Sequence, residues 1–303
     1  MERQTMEKTS DKIKFTKCKI CEGPIVTLSI KTVDGLPMAQ CQNCGLIFIK
    51  EIPSKTMVSS QNEAETINYY SELYSHTPPK FSNGLKMIIN YLREKGIKDF
   101  NSLELLDIGC GDGTFLQLCK EKGFKVAGVD INQAAVNLCK TKGISEVIHG
   151  RIDEVPGDFD IITMFDVMEH LVDPQNLLMR VWKKLKPGGI IYIETPRKCL
   201  LDAYISFFSL FTSIRNNRVS NEHLQLFMVK ALHILLKISG FNIVYFFKHK
   251  SLSWANKKQY IYNLGLRNKT LLSLFTFLAN IFISLNLLGR NKVIILAVKR
   301  RKI

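Results

Sequence analysis

The sequence predicts an α/β protein in two parts, a small cysteine ribbon followed by a larger domain of alternating strands and helices. Two observations carry this. Cysteines pair at 18/21 and 41/44, and from Leu103 onward an apolar run, a glycine turn and an amphipathic helix recur in that order. At 303 residues and 46% hydrophobic content the chain can bury one large core and is too apolar for a disordered segment.

The ribbon is assigned to residues 1–55. Its start, "MERQTMEKTSDKIKFTK", is polar and lacks the apolar stretch of a secretory signal, which predicts a cytoplasmic location where thiols stay reduced. Cys18 and Cys21 in "CKIC" and Cys41 and Cys44 in "CQNC" give the spacing C-x2-C-x19-C-x2-C. Two such knuckles joined by a hairpin bring four thiolates into a tetrahedral array, the donor set of a closed structural zinc site with no position open for catalysis. Gly23, Pro24 and Gly45 supply the turns after each knuckle. A redox dithiol pair is the other reading of the same spacing. Cys110, Cys119, Cys139 and Cys199 fall inside other elements and are read as packing residues. Residues 56–80, containing "SSQNEAETINYYSELYSHTPPK", read as a helix and linker whose Tyr69, Tyr70 and Tyr74 either cap a ligand site or anchor the helix.

The larger domain is assigned to 81–303. In "LELLDIGCGDGTFLQLCKEKGF" an apolar run ends at Ile108, Gly109, Gly111 and Gly113 follow, and a helical pattern runs to Lys122. "KVAGVDIN" is a second strand ending in Asp130, and "QAAVNLCKTKG" a second helix stopped by glycine. Glycines at the C-terminal edge of a strand let a ligand press against backbone while the next helix offers free N–H groups. An acid at the end of the second strand can accept both hydroxyls of a ribose.

These motifs resemble the class I S-adenosylmethionine-dependent methyltransferases, whose first motif is close to "LLDIGCGDGTFL". A nicotinamide dinucleotide site would want G-x-G-x-x-G and a diphosphate on the helix, which Asp112 would repel. The resemblance spans about residues 80–300 and implies a Rossmann-like sheet of seven strands with an antiparallel last strand, "GFNIVYFF" and "NKVIILAVKR" being the two that close it. It also implies that Asp107, Gly109, Cys110, Gly111 and Gly113 wrap the methionine part of S-adenosylmethionine. Asp130 then holds the ribose and Ile131 flanks the adenine. Arg151 stands where relatives carry an acid after the third strand, with Asp153 slightly later, so the backbone at Ile152 is expected to meet the adenine. Phe165, at the end of the fourth strand, is also expected to bind the cofactor.

Two places offer a base for the methyl acceptor. In "DVMEHLVDP", Asp166, Glu169 and His170 stand at i, i+3 and i+4, expected on one helical face. The cluster is similar to the acidic-plus-histidine group of ubiquinone-biosynthesis O-methyltransferases, which implies magnesium near a catechol-like acceptor. In "SNEHLQLF", Glu222 and His223 are similar to the Glu-His pair that some zinc-bearing sugar methyltransferases use for proton abstraction, and His223 is the preferred base. The Asn/Asp-Pro-Pro-aromatic tetrapeptide of amino-methylating relatives is replaced by "FDVM", which directs the expectation to an oxygen or carbon acceptor.

Charge is uneven. Residues 196–303 hold 18 of the 42 Lys and Arg but only 2 of the 27 Asp and Glu, while residues 1–195 are balanced. The same third holds two apolar insertions, at about 198–220 and 251–289. "TLLSLFTFLANIFISLNLLG" (270–289) has the length and apolarity of a membrane span. A span there would tear the last strand from the sheet. Its Ser273, Thr276, Asn280 and Ser284 also make a narrow polar stripe, so it is expected to be an insertion that packs on its own domain, on a second copy in a homodimer, or on an anionic membrane surface. The expected partner is a small or lipid-linked acceptor, such as a quinone precursor, a sugar or a cell-envelope glycan intermediate. The alternative is an RNA methyltransferase gripping phosphates with the ribbon and the basic third.

Overall fold

The computed structural model describes residues 6–9, 11–32, 35–53, 79–197, 223–249, 268–284 and 292–300. Tyr69, Tyr70, Tyr74, Cys199, Glu222 and the insertion at about 198–220 lie outside the described residues.

The ribbon opens with β1 (Met6–Lys8) and β2 (Lys12–Phe15), followed by β3 (Ile25–Lys31), β4 (Pro37–Cys41), β5 (Ile47–Ile49) and β6 (Glu51–Pro53). β1, β2 and β6 make one small antiparallel sheet, and β3, β4 and β5 make another. The second sheet gains a fourth strand from far along the chain, β12 (Gln225–Leu226), which pairs with β5.

The larger part begins with helix α1 (Pro79–Glu94) and then alternates strand and helix: β7 (Glu104–Ile108), α2 (Thr114–Glu121), β8 (Lys125–Asp130), α3 (Gln133–Thr141), β9 (Val147–His149), β10 (Phe159–Phe165), α4 (Pro174–Lys184) and β11 (Leu185–Pro196). After β12 come α5 (Val229–Ile238), β13 (Phe241–His249), α6 (Lys269–Ser284) and β14 (Lys292–Lys299). The sheet order is β9-β8-β7-β10-β11-β14-β13. β14 runs antiparallel between β11 and β13, as the closing strands were expected to. The Pro187-Gly188-Gly189 segment is carried within β11 as a register shift against β10.

Parallel strands covered on both faces must be apolar at successive positions. Leu105, Ile161, Tyr192 and Leu296 fill one face, and their neighbours Leu106, Ile162, Ile191 and Ile295 fill the other. The second of these layers is continuous with the ribbon, since Phe15, Cys18, Cys44 and Phe48 belong to the same buried cluster as Ile193, Leu226, Phe227 and Leu235.

Helix α6 lies in the connection between β13 and β14, so the apolar stretch is an insertion, and among the described residues no helix is long and apolar enough to cross a membrane. Phe275 is buried, whereas Leu274, Phe277 and Ile281 are exposed at 50%, 61% and 37%. Their spacing places them along one side of the helix.

Candidate active site

The cofactor edge is built where β7, β8 and β10 end. Gly109, Gly111 and Gly113 all have positive φ (71°, 56° and 76°), a region that glycine enters without strain. At Gly109 the approach is also tight: a Cβ there would lie 2.7 Å from Val167 Cγ2. Asp130 ends β8 and ties the loop down, its Oδ2 accepting the Gly111 N–H (2.9 Å) and its Oδ1 the Asn132 N–H (2.8 Å). Asn132 in turn caps α3 by accepting the Ala134 N–H at 2.9 Å. Ile131, the expected adenine neighbour, is 70% exposed beside Asp130. Asp107 is buried below the loop and accepts the Thr163 hydroxyl at 2.6 Å. Burial pushes its carboxyl up to about 7, against the pull of Thr163 and Lys80.

The remaining residues expected at the cofactor have packing roles of their own. Cys110 sits in the core, with its sulfur 2.8 Å from where a Gly128 Cβ would stand. The Phe165 ring is enclosed by Phe81 and Tyr192 (both 5.0 Å between centroids) and Phe115 (4.6 Å). Ile152 is buried in a short turn after β9. The acids beside it are engaged, because Glu154 accepts the Arg151 N–H and Asp153 pairs with Arg180.

The acceptor side departs from the expected helical face. Asp166 takes a left-handed conformation (φ 54°), and only a single 3-10 turn, Met168–His170, follows it. Asp166, Glu169 and His170 therefore do not line up at helical spacing. Asp166 is ion-paired with Lys80 and Lys292, both at 2.6 Å. Although burial works against its charge, Lys292 and Lys80 hold its carboxyl well below the usual carboxylate range. Glu169 points the other way and is fully buried. Its Oε2 accepts the Thr195 hydroxyl at 3.0 Å, and its Oε1 has no hydrogen-bond partner among the described residues. Burial, reinforced by the charge of Asp166, pushes it up to about 8.

His223 packs edge-on against His170, with 4.8 Å between ring centroids and 71° between planes. Glu169, His170 and His223 each offer a ligand atom, all within 4.8 Å of one another. Asp166, expected to join Glu169 and His170 around magnesium, is not in this group; His223 is. The turn that carries Glu169 and His170 abuts the glycine loop through Val167 and Gly109. Lys80, Lys292 and Thr195 are partners of these acids that sequence reasoning missed. Lys292 is 126 residues from Asp166, and no local spacing signals such a pair.

In the ribbon, Sγ–Sγ distances are 3.6 Å for Cys18–Cys44 and 3.4 Å for Cys21–Cys41, and all four sulfurs lie within 4.8 Å. The Ile20 N–H donates to Cys18 Sγ and the Cys44 N–H to Cys41 Sγ, as knuckle backbones do toward thiolates. Hydrogen bonding from Cys44 holds the Cys18 thiol down to about 5, while burial pushes Cys21 up to about 11 and the bond to Cys18 raises Cys44. Four sulfurs at this separation suit zinc and leave no open position.

A family model described as a methyltransferase domain matches residues 78–245, more than half of the chain. The chain belongs to the class I S-adenosylmethionine-dependent methyltransferase family. Similar proteins include the mitochondrial ubiquinone biosynthesis O-methyltransferase of Schizosaccharomyces pombe, 30% identical over 40% of this chain and 47% of that one. The ubiquinone biosynthesis O-methyltransferase of Idiomarina loihiensis is 30% identical over 30% and 42%. This methyltransferase thus spans about half the length of the relatives it matches. Among solved structures, a phosphoethanolamine N-methyltransferase of Haemonchus contortus aligns with a TM-score of 0.52 at 17% identity, covering 84% of this chain and 63% of that one. A chain from a complex of a methyltransferase and its activator from Haloferax volcanii aligns at 0.53 and 12%, covering 80% and 100%. At these identities the structural likeness speaks for the fold.

Asp107 and Glu169 both hold protons in the folded protein at pH values where the unfolded chain has released them. Stability from these groups is therefore present at low pH and falls as pH rises from the ordinary carboxylate range through about 7 and about 8. Asp107→Asn is expected to shrink the drop in melting temperature between about pH 5 and about pH 8. An equal drop in variant and parent, measured by calorimetry, would contradict this.

Proposed function

We propose that this methyltransferase moves the methyl group of S-adenosylmethionine to a hydroxyl oxygen of a small or lipid-linked metabolite. Quinone precursors are the first candidates, and sugars or cell-envelope glycan intermediates the next. The observation that carries the reading is the His170–His223 pair, in which His170 stands on the turn after Val167, the residue packed against Gly109 of the glycine loop, and His223 meets it from the segment before β12. The names of the ubiquinone biosynthesis relatives favour an oxygen acceptor. S-adenosylmethionine supplies an activated methyl on a sulfonium. The chain's own task is alignment and removal of one proton. Asp107, Gly109, Gly111 and Gly113 cradle the amino-acid end, Asp130 takes the ribose hydroxyls, and Ile131 flanks the base. His223, supported by Glu222, accepts the acceptor's hydroxyl proton as the oxygen attacks, and His170 orients it. Zinc closes the four ribbon thiolates and takes no part in this chemistry.

A second reading of the same cluster is a divalent cation held by Glu169, His170 and His223, near a catechol-like acceptor. The Glu169 Oε1 left without a partner favours it, because a buried carboxylate oxygen gains most from a cation. The exposed side of α6, with Leu274, Phe277 and Ile281, is in turn proposed to dock on an anionic membrane surface, drawn by the basic C-terminal third.

Calorimetry with S-adenosylhomocysteine should show Asp130→Ala weakening affinity by roughly tenfold or more, since a charge-assisted bond to the ribose is lost. His223→Ala should keep that affinity yet slow transfer of labelled methyl into fractionated cell lipids and glycans by about 10²–10⁴-fold. Undiminished transfer would remove His223 as the base. Manganese titration followed by electron paramagnetic resonance checks the cation reading, which requires Glu169→Gln to lower affinity by about tenfold or more; equal affinity would sink it. Replacing Leu274 and Phe277 together by Glu should reduce co-sedimentation with phosphatidylglycerol vesicles without changing cofactor affinity, and unchanged co-sedimentation would count against membrane docking.

A further inference from the structure

The ribbon is hydrogen-bonded to the segment that carries His223. Directly after that histidine, Leu224–Leu226 is bonded to the ribbon's sheet. Gln225 pairs with Phe48, Leu226 pairs with Ile47, and the Ile49 N–H donates to the Leu224 carbonyl at 3.0 Å. Toward the methyltransferase sheet, the same residues hold the turn that bears Glu169 and His170. The Leu224 N–H donates to the Glu169 carbonyl at 2.9 Å, and Gln225 Nε2 donates to the carbonyls of Met168 (2.6 Å) and Leu171 (3.1 Å). One short strand thus joins the cysteine ribbon to both imidazoles.

Further contacts tie the knuckles to the same place. Lys19, between Cys18 and Cys21, is only 4% exposed. Its Nζ donates to the Leu171 carbonyl at 3.4 Å and lies 5.4 Å and 5.6 Å from the Phe15 and Phe48 ring centroids. Gly45, following the second knuckle, leaves room for Met228, whose Cγ would stand 2.9 Å from a Cβ there. The Cys41 N–H donates to the Leu46 carbonyl at 2.9 Å, so the geometry of the second knuckle passes directly into β5. The bonds named here run to 168–171 and 46–49, whereas the bonds that shape the cofactor loop run among Asp130, Gly111 and Asn132.

We propose that the cysteine ribbon is a working part of the acceptor site: through β5 and β12 it holds His223 against His170, with Gln225 and Lys19 as positioning residues. Metal on the four thiolates then sets the geometry of the imidazole pair while leaving cofactor affinity alone. This rests on the reading of His223 as an acceptor-side group. Misplacing such a group by about 1 Å is enough to cost on the order of 10²-fold in rate, so a brace of this kind has catalytic weight.

The experiment uses the zinc-loaded full chain, with imidazole C–H resonances of His170 and His223 assigned through single His→Gln variants. Gln225→Leu is expected to move both resonances, and stripping zinc from the parent protein should move them likewise, with recovery when zinc is returned. Amide exchange at Leu224 should speed up by about tenfold or more in both cases. Affinity for S-adenosylhomocysteine should stay within about twofold, since the cofactor loop keeps its own bonds. Resonances and exchange that do not respond overturn the proposal, as does a parallel loss of S-adenosylhomocysteine affinity, which would make the ribbon a general fold element. Should Gln225→Leu fail to fold, Lys19→Met removes the link to Leu171 together with the ammonium over the Phe15 and Phe48 rings, and is expected to shift the His170 resonance; no shift there also overturns it. Transfer by His223→Ala reports on the base, whereas the resonances report on the brace, so the two readings fail separately.

Discussion

The ion pairs of Asp166 with Lys80 and Lys292 fix much of what happens at the C-terminal edge of the sheet. Lys80 comes from the first turn of α1, Asp166 from the end of β10 and Lys292 from the start of β14. A carboxylate this close to the core needs compensation, and two ammonium groups supply it. Lys292 also reaches Glu194 on β11 at 3.3 Å, so one lysine joins the ends of three neighbouring strands. With Asp166 committed to the lysines and its backbone turned left-handed, the chain that follows is redirected. Glu169 goes into the core and His170 faces outward.

That redirection separates two environments that the sequence places side by side. On the cofactor edge, a network of backbone and carboxylate bonds around Asp130 sets the loop before any ligand arrives. On the acceptor edge, a carboxyl pushed up by burial lies beside two imidazoles that the chain brings together from 53 residues apart, His170 and His223. The first edge is held by bonds within the chain itself. The second gathers one buried carboxyl and two imidazoles within 4.8 Å of one another.

The glycine loop and the strand ends beside it were legible in the sequence, because their determinants are local. Glycine at 109, 111 and 113 is demanded by backbone conformation within five residues, and Asp130 follows from the end of an adjacent parallel strand. The cysteine knuckles were legible for the same reason. The acceptor edge was not. Periodicity suggested a helix through "DVMEHL", and the left-handed Asp166 overrode it for reasons that lie on α1 and β14. The apolar stretch after Lys269 was legible as an insertion, yet which of its residues would remain exposed followed only from packing.

The sequence by itself determined the α/β class, the strands that end at the glycine loop and at Asp130, and the set of four sulfurs, since each follows from spacing along a few residues. Only the tertiary structure decided that His223 joins Glu169 and His170, that Asp166 leaves them, and that the ribbon reaches in to hold the strand beside them. Those outcomes depend on long-range strand pairing and on the need to pair buried charge, and neither leaves a trace in local sequence.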